Sequence, residues 1–416
     1  MKILVVGGGG REHALVWKIA RSPLVTRLYC APGNAGMDPL AECVDIKADD
    51  VEGLLRFVKE NEIDLTVVGP ELPLSLGIVD RFEVAGRRIF GPHRAASEIE
   101  TSKVFSKNLM ETYHIPTPKA EVVSIEEAFR RAPSLPMPVV LKVEGLAAGK
   151  GVVVAKTPKE AMDGLERFKA MGPAASQIIL EQYIEGLEVS FFVVTDGVIA
   201  LPLAASHDHK QVFDGDRGPN TGGMGAVSPT PRLSTELESE IMSRVVMPTL
   251  QGLSNEGSPY RGVLYAGLML TAEGVKVLEF NARWGDPEAQ AILPRLKTDW
   301  VEVMEATLDH RLEQMRLEWT EAASTCVVLA SEGYPADYRK GAEISGLEDP
   351  ALSEVFIFHA GTARQGERWV TRGGRVLGIT ALGETLAESR QRAYEAIGLI
   401  SFPGMHCRSD IGATAD

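Results

Sequence analysis

The sequence predicts a multidomain protein of mixed α/β and α+β class, and three observations support this. The chain has 416 residues, of which 44% are hydrophobic, enough for several domains with buried cores. Apolar strand patterns and helical patterns alternate up to about residue 95, which is typical of a parallel sheet. Strand patterns after residue 138 are mostly joined by glycine-containing turns instead, as in hairpins. We therefore expect an N-terminal parallel-sheet domain followed by regions of α+β structure.

The N-terminal elements alternate in order along the chain. Strands are predicted at residues 2–6, 27–30, 64–68 and 88–90, and helices at 11–21, 50–61 and 103–113. The last helix runs into His114-Ile-Pro-Thr-Pro118, which cannot continue a helix and marks a boundary.

The second region is predicted to begin with a hairpin. Its strands are residues 138–143 and 151–155, on either side of a glycine-rich tip. Residues 205–227 have little regular pattern and are rich in glycine, which is typical of a functional loop. The remaining predictions are strands at 178–183, 188–195, 198–202, 263–270, 275–280, 325–330, 355–358 and 375–380 and helices at 157–171, 234–255 and 385–397.

Composition excludes several classes of protein. The net charge of −14, without a long basic block, argues against nucleic-acid binding. The four cysteines have no C-x-x-C spacing, so neither a disulfide framework nor a zinc site is indicated. The N-terminal segment is typical of a buried strand, and no apolar run approaches the ~18 residues of a membrane span. We expect a cytoplasmic protein without a membrane or nucleic-acid partner.

Four glycines at residues 7–10 separate the first strand from the first helix, as in a dinucleotide-binding turn. Glu12 stands where the third glycine of that motif belongs, and no acid follows the second strand to hold a ribose. A glycine turn at a helix N-terminus still suits a phosphate, with Arg11 beside it. The alternative is a tight turn with a surface arginine.

The segment EGLAAGKGVVVA, residues 144–155, is not a Walker loop, because only three residues separate Gly145 from Gly149 and no Ser or Thr follows Lys150. Lys142 lies in the apolar strand before it, where a charge is costly unless it meets an anion. Together with Lys150 and Lys103, it predicts a phosphate clamp. A solvent-facing Lys142 on an edge strand remains the alternative.

Acidic residues indicate a nucleotide and its metal. Glu181 precedes a turn that could accept the amino group of adenine, or could simply lie at the surface. Glu279, Asn281 and Arg283 alternate, so we expect them on one face of a strand, offering two oxygen ligands for magnesium and a guanidinium for a charged transition state. Asp286 precedes a proline and fits a helix cap.

These features together resemble the ATP-grasp superfamily and, more narrowly, the phosphoribosylamine–glycine ligase family. The resemblance rests on seven strings: GGREHAL (9–15), PGNAG (32–36), VGPELPL (68–74), EGLAAGKGV (144–152), DHK (208–210), GPNTGGMGA (218–226) and EFNARWGDPE (279–288). It covers residues 1 to about 411. Glu144, the first residue of the fourth string, stands where the family has aspartate.

The resemblance implies an architecture and a reaction. Residues 1–102 would be a Rossmann-like (pre-ATP-grasp) domain, 103–320 a two-subdomain ATP-grasp region with its lid at about 119–190, and 321–416 a small C-terminal α+β domain. ATP, glycine and 5-phosphoribosylamine would become ADP, phosphate and glycinamide ribonucleotide through a glycyl phosphate, with Mg²⁺ or Mn²⁺ as the metal. Similar chains suggest a monomer.

The resemblance also assigns roles to residues. Lys142 and Arg283 would be catalytic, and Glu279 and Asn281 would bind the metal. The nucleotide would contact Lys103, Lys142, Lys150, Glu181, Ile184 and Glu188. Phosphoribosylamine would face Gly9, Arg11, Glu12, His13, Asn34 and Glu71, and glycine and its acyl phosphate would face Asp208, Lys210, Asn220, Thr221, Gly223, Met224 and Arg283.

Three alternatives stay open at this point. A related ATP-grasp carboxylate–amine ligase or carboxylase shares the nucleotide motifs. A nicotinamide-dependent oxidoreductase would use the glycine turn but leaves Glu279 and Asn281 unexplained. A non-catalytic ATP sensor needs no metal ligands. The strand predicted at 263–270 contains no acid, so a second metal carboxylate is not expected from it.

Overall fold

The computed structural model describes residues 1–145 and 151–413. Its N-terminal domain is a five-stranded parallel sheet in the order β3-β2-β1-β4-β5, with helices packed against it. The elements are β1 (Lys2–Gly7), α1 (Gly10–Ile19), β2 (Arg27–Pro32), β3 (Glu42–Cys43), α2 (Val51–Glu60), β4 (Leu65–Val68), α3 (Glu71–Ser75), α4 (Ile78–Val84), β5 (Ile89–Phe90) and α5 (Arg94–Thr101). Because both faces of the sheet are covered, β1 and β4 are almost wholly buried, as their continuous apolar runs predict.

A second, antiparallel sheet has the strand order β6-β9-β7-β8; it lies within the predicted lid and is called the lid sheet below. The predicted hairpin is confirmed, because Val139 pairs with Ala155 and Lys142 with Val152, whereas the tip at residues 146–150 lies outside the described residues. The elements here are α6 (Lys103–Thr112), β6 (Ala120–Ser124), α7 (Ile125–Arg131), β7 (Val139–Val143), β8 (Val152–Ala155), α8 (Pro158–Lys169) and β9 (Gln177–Gln182).

A third sheet, in the order β11-β10-β16-β17, faces the lid and contains the two longest described strands of this region. Short strands of the glycine-rich segment lie between its members in the sequence. The elements are β10 (Leu187–Thr195), β11 (Ala200–Pro202), β12 (His207–Asp208), β13 (Gln211–Phe213), β14 (Arg217–Asn220), β15 (Gly225–Ser228), α9 (Thr235–Ile241), α10 (Met247–Asn255), β16 (Gly262–Thr271), β17 (Gly274–Asn281), α11 (Glu288–Ile292) and α12 (Trp300–Leu308).

The C-terminal sheet, in the order β12-β15-β18-β23-β20, takes two of its five strands from the glycine-rich segment. β15 pairs with β18 from Gly225 opposite Val327 to Ser228 opposite Ser324. A three-stranded ribbon, β19-β22-β21, lies beside it. The C-terminal elements are β18 (Ala323–Ala330), β19 (Glu343–Ile344), β20 (Phe356–His359), β21 (Thr362–Gln365), β22 (Arg368–Thr371), β23 (Arg375–Gly383) and α13 (Leu386–Ile397).

The predicted fold class is confirmed, but residues 205–227 differ from expectation. They contain β12 to β14 and most of β15, each only two to four residues long. The predicted helix at 234–255 is continuous but includes a π-helical segment, Met242–Val246. No helix in the described ranges is long and apolar enough to cross a membrane.

Candidate active site

Lys142 lies on β7, an inner strand of the lid sheet, and its side chain is buried. Only 6% of its surface is exposed, so its ammonium group requires partners. Its Nζ lies 2.6 Å from Glu181 Oε1 and donates to the carbonyl oxygen of Leu278 at 3.0 Å. The alternative of a solvent-facing lysine on an edge strand is therefore wrong.

Glu181, on β9, bridges two lysines. Its carboxylate, 2% exposed, also forms an ion pair with Lys107 of α6. Lys107 Nζ in turn donates to Thr117 Oγ1 at 2.7 Å and to the Pro118 carbonyl at 3.4 Å. Burial lowers the pKa of Lys107, and the charge of Glu181 acts in the opposite direction. Lys107 thus connects β9 to residues 117 and 118, which lead into β6.

Glu279, on β17, is surrounded by lysines from three segments. Lys210 Nζ lies 3.8 Å from Glu279 Oε1, and Lys142 and Lys103 are close enough to act on its charge. Burial alone would raise the pKa of Glu279, but these lysines outweigh it and lower the pKa. Glu279 is therefore ionised at neutral pH.

Asn281 shares a strand face with Glu279, because the two residues pair with Tyr265 and Gly267 of β16. A carboxylate and an amide oxygen side by side are hard donors of the kind that Mg²⁺ prefers. Within residues 1–145 and 151–413, no group of three or more His, Cys, Asp or Glu side chains forms a metal site.

Lys103 begins α6 and faces the edge of the glycine-rich tip. Its Nζ donates to the Gly145 carbonyl at 3.2 Å, and burial lowers its pKa. Glu144 accepts hydrogen bonds from the Ser102 hydroxyl and, at 2.8 Å, from the Val104 N–H, so it caps the N-terminus of α6. Lys150 lies outside the described residues.

Lys210 lies in a narrow cleft lined by Glu188, Asp208 and parts of strands β10, β16 and β17, and it is close to two carboxylates there. Its Nζ lies 3.4 Å from Glu188 and 3.8 Å from Glu279. Asp208 lies in the same narrow cleft, where burial, opposed by Lys210 and reinforced by Glu288, raises its pKa to about 8. One lysine therefore lies among three carboxyl groups, those of Glu188, Asp208 and Glu279. Ile184 is half-buried after β9.

Arg283 is held by two carboxylates. Its Nε lies 3.1 Å from Glu71 Oε2, and its terminal nitrogen lies 2.6 Å from Glu100 Oε1. Burial would raise the pKa of Glu71, but Arg283 and Arg11 outweigh it and lower the pKa to about 2. Arg283 follows the end of β17 instead of continuing it, so the expectation of one strand face from Glu279 to Arg283 is wrong at Arg283.

The glycine turn before α1 is closed by Glu12. Its Oε2 accepts the Gly9 N–H at 2.7 Å, and its Oε1 lies 2.6 Å from Arg11 Nε. Arg11 also donates to the Trp284 carbonyl at 3.2 Å and lies 4.0 Å from Glu71. Arg11 is 6% exposed, so the alternative of a surface arginine is wrong.

His13 and Asn34 connect the same turn to the C-terminal domain. His13 Nδ1 accepts the His359 N–H at 2.8 Å, and burial lowers the pKa of His13 to about 4, which keeps it neutral as an acceptor. Asn34 donates to the carbonyls of Gly8 and His359, both at 2.9 Å. Both side chains therefore fix an interdomain contact.

Residues 220–224 fold back onto Lys210. The Thr221 N–H and hydroxyl both donate to the Lys210 carbonyl at 2.8 Å, and the Met224 N–H donates to the His209 carbonyl at 2.8 Å. Asn220 ends β14, opposite Gln211. The predicted glycine-site residues of this loop are thus brought to Lys210 by backbone hydrogen bonds.

Gly223 has a backbone that only glycine adopts readily. Its φ is +109°, and a Cβ there would lie 2.4 Å from Pro287 Cδ. Asp286, beside that proline, does not cap α11 as expected, because its carboxylate pairs with Arg375 at 2.8 Å and accepts from Gln290 at 2.7 Å. The 220–224 loop and the Asp286 turn are therefore packed together.

Three family models match the chain in succession. They describe the N domain of phosphoribosylglycinamide synthetase at residues 1–100, its ATP-grasp (A) domain at 101–289 and its C domain at 324–414. The chain belongs to the phosphoribosylglycinamide synthetase family. The resemblance of the seven sequence strings is thereby confirmed.

Curated relatives support this membership over the whole chain. A phosphoribosylamine–glycine ligase of Caldanaerobacter subterraneus is 49% identical over 99% of this chain and 100% of its own length. A protein of the same name from Vibrio parahaemolyticus is 48% identical over 100% of this chain and 98% of its own.

Solved structures agree on the fold. The Thermotoga maritima phosphoribosylamine–glycine ligase superposes with a TM-score of 0.86 at 32% identity, covering 99% of this chain and 100% of that one. The biotin carboxylase domain of the Hydrogenobacter thermophilus 2-oxoglutarate carboxylase has a TM-score of 0.73 at 17% identity, covering 98% and 91%. The second likeness concerns the fold alone.

This synthetase-family chain contains site residues that the sequence did not single out. Lys107 follows Lys103 by four residues, so helical spacing could have indicated a shared face. Glu100 and Arg375 carry no comparable local signal, because their partners Arg283 and Asp286 are distant in the sequence.

Proposed function

We propose that this chain catalyses the ATP-dependent ligation of glycine to 5-phosphoribosylamine, giving glycinamide ribonucleotide, ADP and phosphate. Family membership and the names of relatives 48–49% identical over nearly the whole chain support it. The observation that carries it in the structure is the convergence of Lys103, Lys142 and Lys210 on ionised Glu279. Such a cleft can hold a triphosphate beside a carboxylate substrate.

In this proposal the nucleotide lies between the lid sheet and the β10–β17 sheet. Lys103 and Lys142 bind its phosphates, and Lys150 belongs to the lid tip. Glu181 and Ile184 contact adenine, and Glu188 contacts the ribose. The support is the burial of Lys142 and Glu181 and the hydrogen bond that Lys142, on the lid sheet, donates to the Leu278 carbonyl of β17.

Glu279 and Asn281 are the residues that would hold Mg²⁺, or Mn²⁺ in its place. Their oxygens fit a hard divalent ion, and the lowered pKa of Glu279 keeps its carboxylate charged. When bound, the ion neutralises part of the charge of the phosphates.

The chemistry needs positioning and charge rather than a protein nucleophile. A glycine carboxylate oxygen attacks the γ-phosphorus of ATP, the bond to the β-phosphate oxygen breaks, and ADP leaves. The amine nitrogen of phosphoribosylamine then attacks the carbonyl carbon of glycyl phosphate, phosphate leaves, and the nitrogen loses a proton. Lys142 and Arg283 offset the charge that develops.

The two small substrates occupy opposite sides of Arg283. Glycine and its acyl phosphate are framed by residues near Lys210, and phosphoribosylamine by residues of the N-terminal domain. The glycine set is Asp208, Lys210, Asn220, Thr221, Gly223, Met224 and Arg283. The phosphoribosylamine set is Gly9, Arg11, Glu12, His13, Asn34 and Glu71. Arg11 and Glu71 support this division, because both contact the Arg283 network.

We also propose the domain limits 1–102, 103–320 with a lid at about 119–190, and 321–416, together with a monomeric, cytoplasmic enzyme. Sedimentation equilibrium at several concentrations tests the monomer, and a concentration-dependent mass would contradict it.

The deciding experiment measures ADP release with ATP, Mg²⁺, glycine and freshly made phosphoribosylamine, omitting each in turn. We expect full turnover only with all four, and glycinamide ribonucleotide identified by mass. ADP release supported by bicarbonate or formate without glycine would favour a different ATP-grasp activity. ATP binding without any substrate-dependent turnover would favour a sensor, and NADH binding an oxidoreductase.

A further inference from the structure

Arg375, at the start of β23 in the C-terminal domain, reaches two loops of the active site at once. One terminal nitrogen donates to the carbonyl oxygens of Gly222 at 2.6 Å, Asp286 at 2.7 Å and Gly223 at 3.5 Å. The other donates to Asp286 Oδ2 at 2.8 Å. The guanidinium therefore connects the 220–224 loop to the turn that precedes α11.

Arg375 does more than neutralise the Asp286 carboxylate. Three of the four hydrogen bonds end on backbone carbonyls, and a planar fork can satisfy several such acceptors at fixed angles, which an ammonium group cannot. The opposite side of the loop is also held by the C-terminal domain, because the Gly222 N–H donates to the Tyr334 hydroxyl at 3.0 Å. Gly222 is thus held through both its N–H and its carbonyl.

Arg375 and Tyr334 hold the part of the loop whose backbone has the most conformational freedom. Residues 222 and 223 are both glycine, whose backbone loses more freedom on ordering than any other residue. Thr221, next to them, bonds the Lys210 carbonyl, so a shift of Gly222 is passed directly to the segment that carries Lys210.

We propose that Arg375 is a positioning residue for the glycine subsite: it holds residues 220–224 against the Asp286 turn, so that the C-terminal domain forms part of the active site. This rests on the proposed function. The hydrogen bonds of Arg375 end on Gly222, Gly223 and Asp286 and not on Lys103 or Lys142, so we expect its loss to affect glycine use and to leave nucleotide binding intact.

The test compares Arg375→Met, Arg375→Lys and Tyr334→Phe with a matched control, Arg295→Met. Arg295 is also a buried arginine that donates to backbone carbonyls, those of Ala322 at 2.7 Å and Thr320 at 3.4 Å. It also donates to the Ser228 hydroxyl at 2.8 Å, at the far end of β15, so these acceptors lie outside residues 220–224 and outside the Asp286 turn. Three quantities are measured: hydrogen–deuterium exchange of a peptide covering residues 220–224, the steady-state KM for glycine, and the ATP dissociation constant from calorimetry.

For Arg375→Met we expect the amide exchange rate at residues 222–224 and the KM for glycine each to rise about tenfold. The ATP dissociation constant should change less than about twofold. Arg375→Lys should be intermediate, because it keeps the charge but loses the fork. Arg295→Met should change the melting temperature without either effect.

Unchanged exchange and glycine KM in Arg375→Met would overturn the proposal, as would equal losses in Arg295→Met or an equal loss of ATP affinity. If Arg375→Met does not fold, Arg375→Lys decides, because unchanged exchange at residues 222–224 and an unchanged glycine KM in that variant would contradict a positioning role for the guanidinium. Unchanged exchange at Gly222 in Tyr334→Phe would contradict the hold on its N–H. A wild-type chain without glycine-dependent ADP release would refute the proposed function, while the exchange comparison would still decide whether Arg375 holds the loop.

Discussion

Replacing Gly223 by alanine should damage both stability and activity. Its φ of +109° is unfavourable for alanine by about 1–3 kcal/mol. The new Cβ would also lie 2.4 Å from Pro287 Cδ, and overpacking of this kind costs about 1–3 kcal/mol more. Because the proline ring is part of the Asp286 turn, relief of the overlap must move the loop away from that turn.

Gly215 provides a matched control in the same hairpin region. Its φ is also positive, at +68°, but the nearest atom to an added Cβ is Arg217 Nε at 3.8 Å. Gly215→Ala should therefore lose only the backbone term, about 1–2 kcal/mol. We expect Gly223→Ala to be less stable than this control by about 2 kcal/mol, which corresponds to a melting temperature lower by about 2 °C for a chain of 416 residues that unfolds as one unit.

The assay pairs thermal unfolding with glycine-dependent ADP release. Gly223→Ala should lower kcat/KM for glycine by at least about tenfold, whereas Gly215→Ala should remain near wild type. Equal melting temperatures and equal kinetics in the two variants would refute the argument that Pro287 and the backbone of residue 223 fix the loop.

Three further predictions address the cleft and the domain contact. Lys142→Met should raise the ATP KM about 10–100-fold by removing a charge-assisted contact, while exposed Lys159→Met leaves it unchanged; equal effects would contradict the phosphate role. Glu279→Gln should raise the Mg²⁺ concentration for half-maximal activity at least about tenfold, and an unchanged magnesium titration would exclude it as a ligand. Burial lowers the pKa of His13 from 6.5 to about 4, so below pH 6.5 the unfolded chain binds protons that the native state does not. Stability should therefore fall as pH falls from 6.5 toward 4, and His13→Gln, which can still accept the His359 N–H, should flatten that fall in melting temperature; an identical pH profile would contradict it.

The elements that the sequence predicted well are those with strong local patterns. The strand Lys2–Gly7 contains an uninterrupted apolar run, Ile3–Val6, and the Val139–Val143 and Val152–Ala155 hairpin has strands with clear limits. The strands His207–Asp208 and Gly225–Ser228 were missed because each is short. His207–Asp208 pairs only with Gly225–Ser228 among the described strands, and Gly225–Ser228 in turn pairs with Ala323–Ala330, about a hundred residues later. Local periodicity carries no information about such partners.

In the candidate site, too, local sequence could predict some residues and not others. Lys142 was detectable because a charge in an apolar strand is costly, and the structure gives it a buried carboxylate partner. The setting of Arg283 was not detectable, because Glu71 and Glu100 come from a different domain. The spacing of Glu279 and Asn281 was sufficient to predict a shared face but not the lysines that surround it.

The C-terminal sheet combines two strands from residues 207–228 with three strands from residues 323–383, and this limits where the chain can be cut into fragments. A fragment ending near residue 320 would keep Gly225–Ser228 but lose the strand that accepts its backbone hydrogen bonds, leaving an open sheet edge prone to aggregation. The complementary fragment would lack two of its five strands. Expression trials and gene fusions should therefore treat residues 207–411 as inseparable.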